Sequence, residues 1–470
     1  MVPWAAIPRG IGLAVFCALL LSSSALAQFE TRGPFFSNTF PTSIAVGDFN
    51  HDGILDLAVT AETNSNNVVI LLGNGDGTFY TKTAYTAGEG AISVVVADFN
   101  HDGNLDLAVA NSLSTYLTIL LGNGDGTFRA APNPAVPAYE NFVTVGDFNG
   151  DGILDLVAVS YSNPCKCISV LFGNGDGTFR EAVNTNPSFN VESIGVGDFN
   201  RDGILDLVTA GNFSINVLLG NGDGTFQYGA SYPSGESPAQ IAVADFNGDH
   251  KLDLAIAEAA GINVLLGNGD GTFQTAVEYP TTFPISVAVA DFNGDHKLDL
   301  VAANALFSAG ASVFLGNGDG TFQPGTYYPG SREILYVAVG DFNRYGKTDF
   351  VLANYHSDNV IVSLNTGVVS FSPTTPSNFK NQTVGTTSAP LAVTLTNTGT
   401  TALKIGSMKA SAQFGVTSTC GNSVAPGANC TVSVTFSPTS TGLKSGTVSI
   451  LDSASSKPQV ILLTGTGEPR

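Results

Sequence analysis

Short apolar runs bounded by polar turns dominate the chain. The stretches LDLAVT (55–60), NVVILLG (67–73) and SVVVAD (93–98) are rich in valine, isoleucine and leucine, and glycine, asparagine or aspartate flanks them. Runs of this length and composition predict β-strands. No stretch keeps the 3.6-residue period of an amphipathic helix, so the pattern predicts an all-β protein.

Two polar motifs recur among these runs. DFN begins at seven aspartates that are about 46–51 residues apart, namely Asp48, Asp98, Asp147, Asp198, Asp245, Asp291 and Asp341. GNGDGTF begins at six glycines, namely Gly73, Gly122, Gly173, Gly220, Gly267 and Gly316. Each repeat has room for four short strands, and four antiparallel strands every 40–50 residues or so are the unit of a β-propeller blade.

The two ends of the repeat region predict how the ring closes. The phenylalanine of GTF lies 18 or 19 residues before the next DFN aspartate, and Phe29 stands equally far before Asp48 with no GNGDG turn ahead of it. The seventh repeat, in contrast, has no GDGTF strand after VIVSLNTG (360–367). We therefore predict a seven-bladed β-propeller over residues 28–367, closed by an N-terminal strand that completes the last blade.

The connection between the second and third strands of each repeat varies most in length. Alternate turns of an antiparallel blade lie at opposite ends. The DFN loop and the GNGDG turn of a blade therefore share one end of the disc-shaped propeller, and the variable loops share the other. Loops on a rigid scaffold are frequent binding sites. We expect partners at the variable end.

The loop DFNHDGILD (48–56) carries the oxygen donors of a calcium site. Calcium takes about 6–8 oxygens from carboxylates, amides, main-chain carbonyls and water. Aspartates at loop positions 1, 5 and 9, asparagine at position 3 and the carbonyl at position 7 supply such a set, and glycine at position 6 allows a sharp turn. Magnesium seldom uses all-protein cages and zinc prefers Cys and His. The alternative is an Asx-rich turn that holds no ion.

Six copies of this pattern predict calcium as the cofactor, at about six sites. The predicted ligands are Asp48, Asn50, Asp52, Ile54 and Asp56; Asp98, Asn100, Asp102, Asn104 and Asp106; Asp147, Asn149, Asp151, Ile153 and Asp155; Asp198, Asn200, Asp202, Ile204 and Asp206; Asp245, Asn247, Asp249, Lys251 and Asp253; and Asp291, Asn293, Asp295, Lys297 and Asp299.

Three copies depart from the pattern. His250 and His296 replace the position-6 glycine, and we interpret both as turn residues because histidine tolerates a left-handed backbone. In the seventh loop Tyr345 replaces the central carboxylate. We expect that loop to bind calcium weakly or not at all.

The motifs VGDFNHDGILDLAV (46–59) and ILLGNGDGTF (70–79) resemble FG-GAP/VCBS repeats, the propeller type of integrin α subunits. The resemblance covers roughly residues 28–367. It implies calcium in the loops and a role in extracellular adhesion or ligand recognition. Members are also attached to enzymes, so the resemblance does not fix a function.

Residues 368–470 change in character. LAVTLTNTG (391–399), CTVSVTFSP (430–438) and GTVSILD (446–452) alternate apolar and polar positions, which predicts an immunoglobulin-like β-sandwich. The sequence of this region resembles the Ig-like modules of the ASPM/SPD-2/Hydin or choice-of-anchor-D type, which occur in secreted bacterial proteins. Cys420 and Cys430 bracket a turn and are expected to form a disulfide. Cys165 and Cys167 form either a local disulfide, free thiols or a metal site.

Residues 1–27 read as a secretory signal peptide, with Arg9 ahead of a short apolar run and small residues at its end. The net charge of −21 argues against nucleic acid as a partner, and no stretch is long enough to span a membrane. We predict a non-enzymatic extracellular or cell-surface binding or adhesion module without catalytic residues. Its partner would be a protein or glycan. The alternatives are a calcium-dependent lectin-like protein and, less favoured, a non-catalytic part of a hydrolase or lyase system.

Overall fold

The computed structural model describes residues 29–469 except 38–39, 63–66, 161–164, 212, 236–237, 306–309, 331–332, 345, 366–368, 373–376, 398–401 and 454–457. The predicted signal peptide (1–27) and Tyr345 lie outside the described residues. The described part of the chain is all-β apart from one short 3-10 turn, as the strand pattern predicts.

The strands before residue 366 are, in chain order, β1 (Phe29–Phe36), β2 (Pro41–Gly47), β3 (Asp56–Ala61), β4 (Asn67–Gly73), β5 (Phe79–Thr86), β6 (Ala91–Ala97), β7 (Asp106–Asn111), β8 (Thr118–Gly122), β9 (Phe128–Ala130), β10 (Phe142–Gly146), β11 (Asp155–Val159), β12 (Ile168–Leu171), β13 (Val183–Thr185), β14 (Ser193–Gly197), β15 (Asp206–Gly211), β16 (Ser214–Gly220), β17 (Phe226–Pro233), β18 (Gln240–Ala244), β19 (Asp253–Glu258), β20 (Gly261–Leu265), β21 (Val277–Pro280), β22 (Pro284–Ala290), β23 (Asp299–Asn304), β24 (Gly310–Phe314), β25 (Thr326–Pro329), β26 (Ile334–Gly340), β27 (Asp349–Asn354) and β28 (Asn359–Asn365), with the 3-10 turn at Tyr355–Ser357. The later strands are β29 (Val369–Ser372), β30 (Ser377–Thr383), β31 (Leu391–Asn397), β32 (Leu403–Ala410), β33 (Phe414–Ser418), β34 (Ser423–Val424), β35 (Asn429–Phe436), β36 (Gly442–Asp452) and β37 (Gln459–Glu468).

The described strands β1–β28 pair into seven four-stranded sheets. Six sheets take four strands in chain order, starting at β2, β6, β10, β14, β18 and β22. The seventh sheet contains β26, β27 and β28, and β1 pairs with β28 as its fourth strand, with Phe29 opposite Asn365. The first strands of neighbouring sheets contact one another in succession, and β26 also contacts β2. The first strands of the described sheets therefore contact one another in an unbroken series.

The core lies between neighbouring sheets. Every residue of β3 is buried, as is every residue of β7, β15 and β23. The GTF phenylalanine packs edge-to-face on the DFN phenylalanine of the preceding sheet, as Phe128 does on Phe49 with ring centroids 5.5 Å apart. That phenylalanine therefore packs between neighbouring repeats. Since a single sheet leaves two apolar faces uncovered, each repeat depends on its neighbours.

The C-terminal residues form two further sheets, in the orders β29-β31-β35-β33 and β30-β37-β36-β32-β34. Val393, Val434 and Phe436 are fully buried in the core that these strands enclose. The predicted disulfide between Cys420 and Cys430 is present, with Cα atoms 4.9 Å apart. Both findings agree with the predicted Ig-like module.

Cys165 and Cys167 are also joined by a disulfide, which selects one of the alternatives that the sequence leaves open. None of the helical segments that the structure describes is long and apolar enough to cross a membrane.

Candidate metal-binding loops

Each DFN loop joins the first and second strands of its sheet, and the GNGDG turn joins the third and fourth. Both therefore lie at one end of each sheet. The main chain connects the two motifs across neighbouring sheets, because the Gly126 N–H donates to the Phe49 carbonyl at 2.8 Å and the Gly77 N–H donates to that of Phe342 at 3.0 Å. The loops thus form a connected rim of the disc.

In the first loop, side-chain oxygens accept the loop's own N–H groups. Asp48 accepts from the Asp52 N–H at 3.2 Å and from the Gly53 N–H at 2.9 Å. Asn50 Oδ1 accepts from the Asp52 N–H at 3.0 Å, and Asp52 Oδ1 accepts from the Ile54 N–H at 2.8 Å. These Asx turns fix the positions of the oxygen donors before any ligand binds.

The same fold recurs around the rim. The position-6 N–H donates to the position-1 carboxylate at 2.7–2.9 Å in all seven loops. Position 6 has a positive φ throughout, including 64° at His250 and 63° at His296. The prediction that these two histidines are turn residues is confirmed.

The position-9 aspartate holds the two motifs of each sheet together. Asp56 is fully buried, and its carboxylate accepts from the Phe49 N–H at 2.9 Å and from the Gly73 N–H at 2.8 Å. The matching aspartate in the other six loops makes equivalent bonds. Position 9 therefore has a structural role in every sheet, including the seventh.

Burial, helped by the charges of Asp52 and Asp48, raises the pKa of Asp56 to about 6, although the hydrogen bonds from the Gly73 and Phe49 N–H groups lower it. In the sixth loop, burial raises the pKa of Asp299 to about 7. The carboxylates of one loop are thus close enough to repel one another.

Among the described residues, no group of three or more His, Cys, Asp or Glu side chains is arranged as a finished metal site. The position-1, -5 and -9 carboxylates instead accept main-chain hydrogen bonds. The donor chemistry nevertheless fits a hard cation, because carboxylates and an amide oxygen meet in one loop and the negative charges are mutually unfavourable. Each carboxylate oxygen can accept more than one interaction, so the loop bonds do not exhaust the donors.

A lysine occupies position 7 in the fifth and sixth loops. Lys251 Nζ lies 3.1 Å from Asp249 Oδ2, and Lys297 Nζ lies 3.9 Å from Asp295 Oδ2. The ammonium group already neutralises part of the central carboxylate there. A metal ion would have to compete with it.

Neighbouring loops also touch directly. His51 Nε2 lies 2.9 Å from Asn104 Oδ1, which connects position 4 of the first loop with position 7 of the second. The contact depends on how two sheets pack, which the spacing of the motifs does not reveal.

Comparison with known proteins agrees with this architecture. The model of the FG-GAP-like repeat matches residues 48–109, 98–158, 147–209, 198–256 and 245–302. The model described as abnormal spindle-like microcephaly-associated, ASPM-SPD-2-Hydin, matches residues 366–460. No curated protein matches the chain in sequence.

Solved structures share the fold at low identity. BBS1N, solved in complex with ARL6DN, aligns with a TM-score of 0.53 at 12% identity, over 73% of this chain and 97% of that one. A candidate 6-phosphogluconolactonase of Bacteroides fragilis aligns with a TM-score of 0.52 at 15% identity, over 66% of this chain and 90% of that one. An Agrocybe aegerita lectin that recognises non-reducing terminal N-acetylglucosamine aligns with a TM-score of 0.48 at 22% identity, over 68% of this chain and 87% of that one. At these identities the similarity shows the fold alone.

The residues that carry the repeat signature are those that build the rim, namely the DFN loops and the GNGDG turns that bond to them. The matched repeats together span residues 48–302, more than half of the 470-residue chain. The protein therefore belongs to the FG-GAP-like repeat family, and it carries an ASPM-SPD-2-Hydin module after its propeller.

Proposed function

We propose that the protein is an exported, non-enzymatic binding protein. Calcium bound in the first six DFN loops stabilises its propeller. One observation carries the proposal. Six loops with the same oxygen donors adopt the same turn at one end of the sheets, and the seventh loop, in whose sequence a tyrosine replaces the central carboxylate, shares the position-6 and position-9 bonds.

Calcium would supply positive charge to the clustered carboxylates. The position-1 and position-5 aspartates, the position-3 asparagine and the position-7 carbonyl would hold it, together with the buried position-9 aspartate that fixes the loop to the next turn. Extracellular calcium sites have dissociation constants of about 0.1–1 mM. At roughly 1 mM calcium each site then adds about 0.4–1.4 kcal/mol to the free energy of unfolding. Loops five and six should bind more weakly because of Lys251 and Lys297.

We further propose that the seven described sheets are the blades of one closed ring, which the N-terminal strand completes. Three contacts support this. β1 pairs with β28, β26 contacts β2, and the Phe29 ring packs on that of Phe292 with centroids 5.8 Å apart. The proposed boundaries are residues 28–367 for the propeller and 368–470 for the Ig-like module, after a signal peptide of residues 1–27.

The proposed partner is an extracellular protein or glycan. The net charge of −21 would repel the phosphates of nucleic acids. A lectin-like function is the second candidate, because the cavity at the end opposite the DFN loops is lined by both polar and apolar side chains, with Phe142 among the apolar ones. A catalytic role is not proposed, since the acidic side chains at the rim serve the fold of the loops.

Bound calcium per chain tests the proposal. In equilibrium dialysis of the purified protein against 1 mM calcium chloride, elemental analysis of the protein and buffer compartments should find an excess of about three to five calcium ions per chain. The Asp52→Asn and Asp102→Asn variants should each lose about one ion, whereas Asp341→Asn should lose none. A stoichiometry below one ion per chain would reject calcium as a resident ion.

A further inference from the structure

A cavity of about 240 Å³ lies on the axis of the propeller at the end opposite the DFN loops. Residues at or just before the starts of all seven first strands line it, among them Ser43, Ser93, Asn141, Glu192, Gln240 and Tyr336. Pockets for drug-sized ligands measure roughly 300–1,000 Å³. The space therefore suits a group about as large as one sugar ring.

Hydrogen bonds hold the polar groups of the wall in place. Ser43 Oγ accepts from the Val94 N–H at 3.4 Å, and Gln240 Oε1 accepts from the Val287 N–H at 3.0 Å. The Tyr336 side chain hydrogen-bonds Ser43 and Gln240, which come from two other sheets. The wall is consequently set by three sheets before a ligand arrives, which reduces the entropy cost of binding.

The charge of the cavity excludes one class of ligand. Glu62 and Glu192 line it, and no lysine, arginine or histidine does among the residues that the structure describes. Glu62 is fixed by the Tyr355 hydroxyl, which donates to Glu62 Oε2 at 2.8 Å. Carboxylates accept hydrogen bonds from hydroxyl groups and repel anions, so a phosphate or carboxylate ligand does not fit.

Three aromatic residues lie close to the cavity in the chain, each two positions before a lining residue. They are Phe40, Tyr139 and Phe283, of which Tyr139 is 40% and Phe283 is 37% exposed. Phe40 and Phe283 adopt φ values of 58° and 53°. A left-handed backbone is unfavourable for such bulky residues. Gly90 and Glu333, which also lie eight residues before a DFN aspartate, adopt it too, with φ values of 71° and 52°, so the conformation belongs to the repeat.

The aromatic residues also have fixed positions. The Phe40 carbonyl accepts from the Glu62 N–H at 3.2 Å, and the Phe283 carbonyl accepts from the Ala305 N–H at 3.0 Å. The Phe40 ring packs against Tyr355 with centroids 4.8 Å apart. Rigid aromatic faces next to hydroxyl, amide and carboxylate groups match the two surfaces of a pyranose, whose C–H face is apolar and whose edge is polar.

We propose that this axial cavity binds the terminal ring of a neutral carbohydrate. The ring would enter between Phe40, Tyr139 and Phe283, and its hydroxyls would bond to Asn141, Glu192 and the Tyr336 group at the base. This proposal rests on the proposed binding function and names its ligand class, but it does not depend on calcium in the DFN loops at the other end.

The test is isothermal titration of the purified protein in 1 mM calcium chloride. The probes are D-glucose, D-galactose, D-mannose and N-acetyl-D-glucosamine, with D-glucuronate as the anionic comparison. We expect at least one neutral sugar to bind in the millimolar range and glucuronate to bind at least about tenfold more weakly. Binding of no neutral sugar below about 20 mM, or equal binding of glucuronate, would overturn the proposal.

Two variants locate the site. Ala239→Phe fills the cavity from its wall and should weaken binding at least about tenfold, whereas Val277→Phe, on the exposed outer strand of the same sheet, should leave it unchanged. If Ala239→Phe fails to fold, Glu192→Gln at the exposed mouth should still weaken binding severalfold. Unchanged affinity in a folded Ala239→Phe or in Glu192→Gln would place the sugar elsewhere. Calcium stoichiometry, measured on the same samples, keeps failure of this inference separate from failure of the calcium proposal.

Discussion

The side-chain amide of Asn365 donates to the main-chain carbonyl of Phe292 at 2.6 Å, across the boundary between the sixth and seventh sheets. At other boundaries a glycine N–H of the GNGDG turn makes this bond, as Gly126 does to Phe49. The Asn365 main-chain N–H also donates to Asp349 at 2.6 Å. In the first sheet the Gly73 N–H makes the equivalent bond to Asp56. One asparagine therefore replaces two contacts of the turn that the seventh repeat lacks.

Replacing Asn365 by leucine should weaken the closure of the ring. The side chain is fully buried, and the substitution keeps its size but leaves the Phe292 carbonyl without this donor. Loss of such a bond costs about 1–3 kcal/mol, so the free energy of unfolding in urea should fall by that amount. Asn422→Leu, at an exposed position, is the control and should change it little. Equal stability of the two variants would contradict the assigned role.

Phe29→Ala should destabilise the propeller far more than Phe36→Ala, although both residues lie on β1. The Phe29 ring packs against Phe292, Tyr328 and Phe350, whereas Phe36 is 74% exposed. Truncation of a packed phenylalanine costs about 3–5 kcal/mol. Thermal unfolding of the two variants measures the difference, and similar melting temperatures would mean that β1 does not anchor the ring.

Asp52→Asn and Asp56→Asn should separate the proposed metal role from the structural role. Asp56 accepts two main-chain bonds in a buried position, so its variant should lose about 2–4 kcal/mol without calcium and, as a proposed ligand, about 0.4–1.4 kcal/mol more in 1 mM calcium. Asp52 lies at the exposed loop, and its variant should lose stability only in calcium. Urea unfolding in 1 mM calcium chloride and in excess EGTA distinguishes them.

Asp349→Asn in the seventh loop is the matched control for that pair, because the loop keeps the position-9 bonds without the central carboxylate. It should show the loss that Asp56→Asn shows in EGTA, and it should show the same loss in calcium. A calcium-dependent loss at Asp349 would contradict the proposal that the seventh loop has no calcium role.

Glu140 should make stability depend on pH. It is fully buried, neither of its carboxylate oxygens has a hydrogen-bond partner among the described residues, and burial raises its pKa to about 8. The folded state thus retains a proton that the unfolded chain releases above its ordinary pKa of 4.5. Stability from this group is therefore full below that pH and is lost as pH rises towards 8, with a slope of up to about 1.4 kcal/mol per pH unit.

Glu140→Val is the test, because Val191 occupies the matching position of the next sheet, seven residues before its DFN aspartate. The variant should be more stable than the parent at pH 8, and its advantage should shrink as pH falls to 5. The buried loop aspartates with raised pKa values also change their protonation with pH, but they do so in both proteins. The difference in the free energy of unfolding between parent and variant therefore reports on Glu140. A constant difference from pH 5 to pH 8 would rule out the ionisation.

The repeated strands and loops could be predicted from the sequence because their signals are local. Apolar runs predict strands, and the spacing of Phe29 before Asp48 predicts an additional strand that pairs at the far end of the repeats. Asn365 and Glu140 could not be assigned in this way. Their roles arise from contacts between sheets, and Asn365 bonds to a residue 73 positions away. The axial cavity likewise combines residues from all seven repeats.

The central claim, that calcium stabilises the propeller through the DFN loops, is tested most directly by thermal unfolding of the purified protein in 1 mM calcium chloride and in excess EGTA. Six sites of about 0.4–1.4 kcal/mol each should raise the melting temperature by roughly 5–15 °C. Magnesium at the same concentration should give a much smaller shift, because it binds reluctantly to all-protein cages. Equal melting temperatures with calcium and with chelator would contradict the claim.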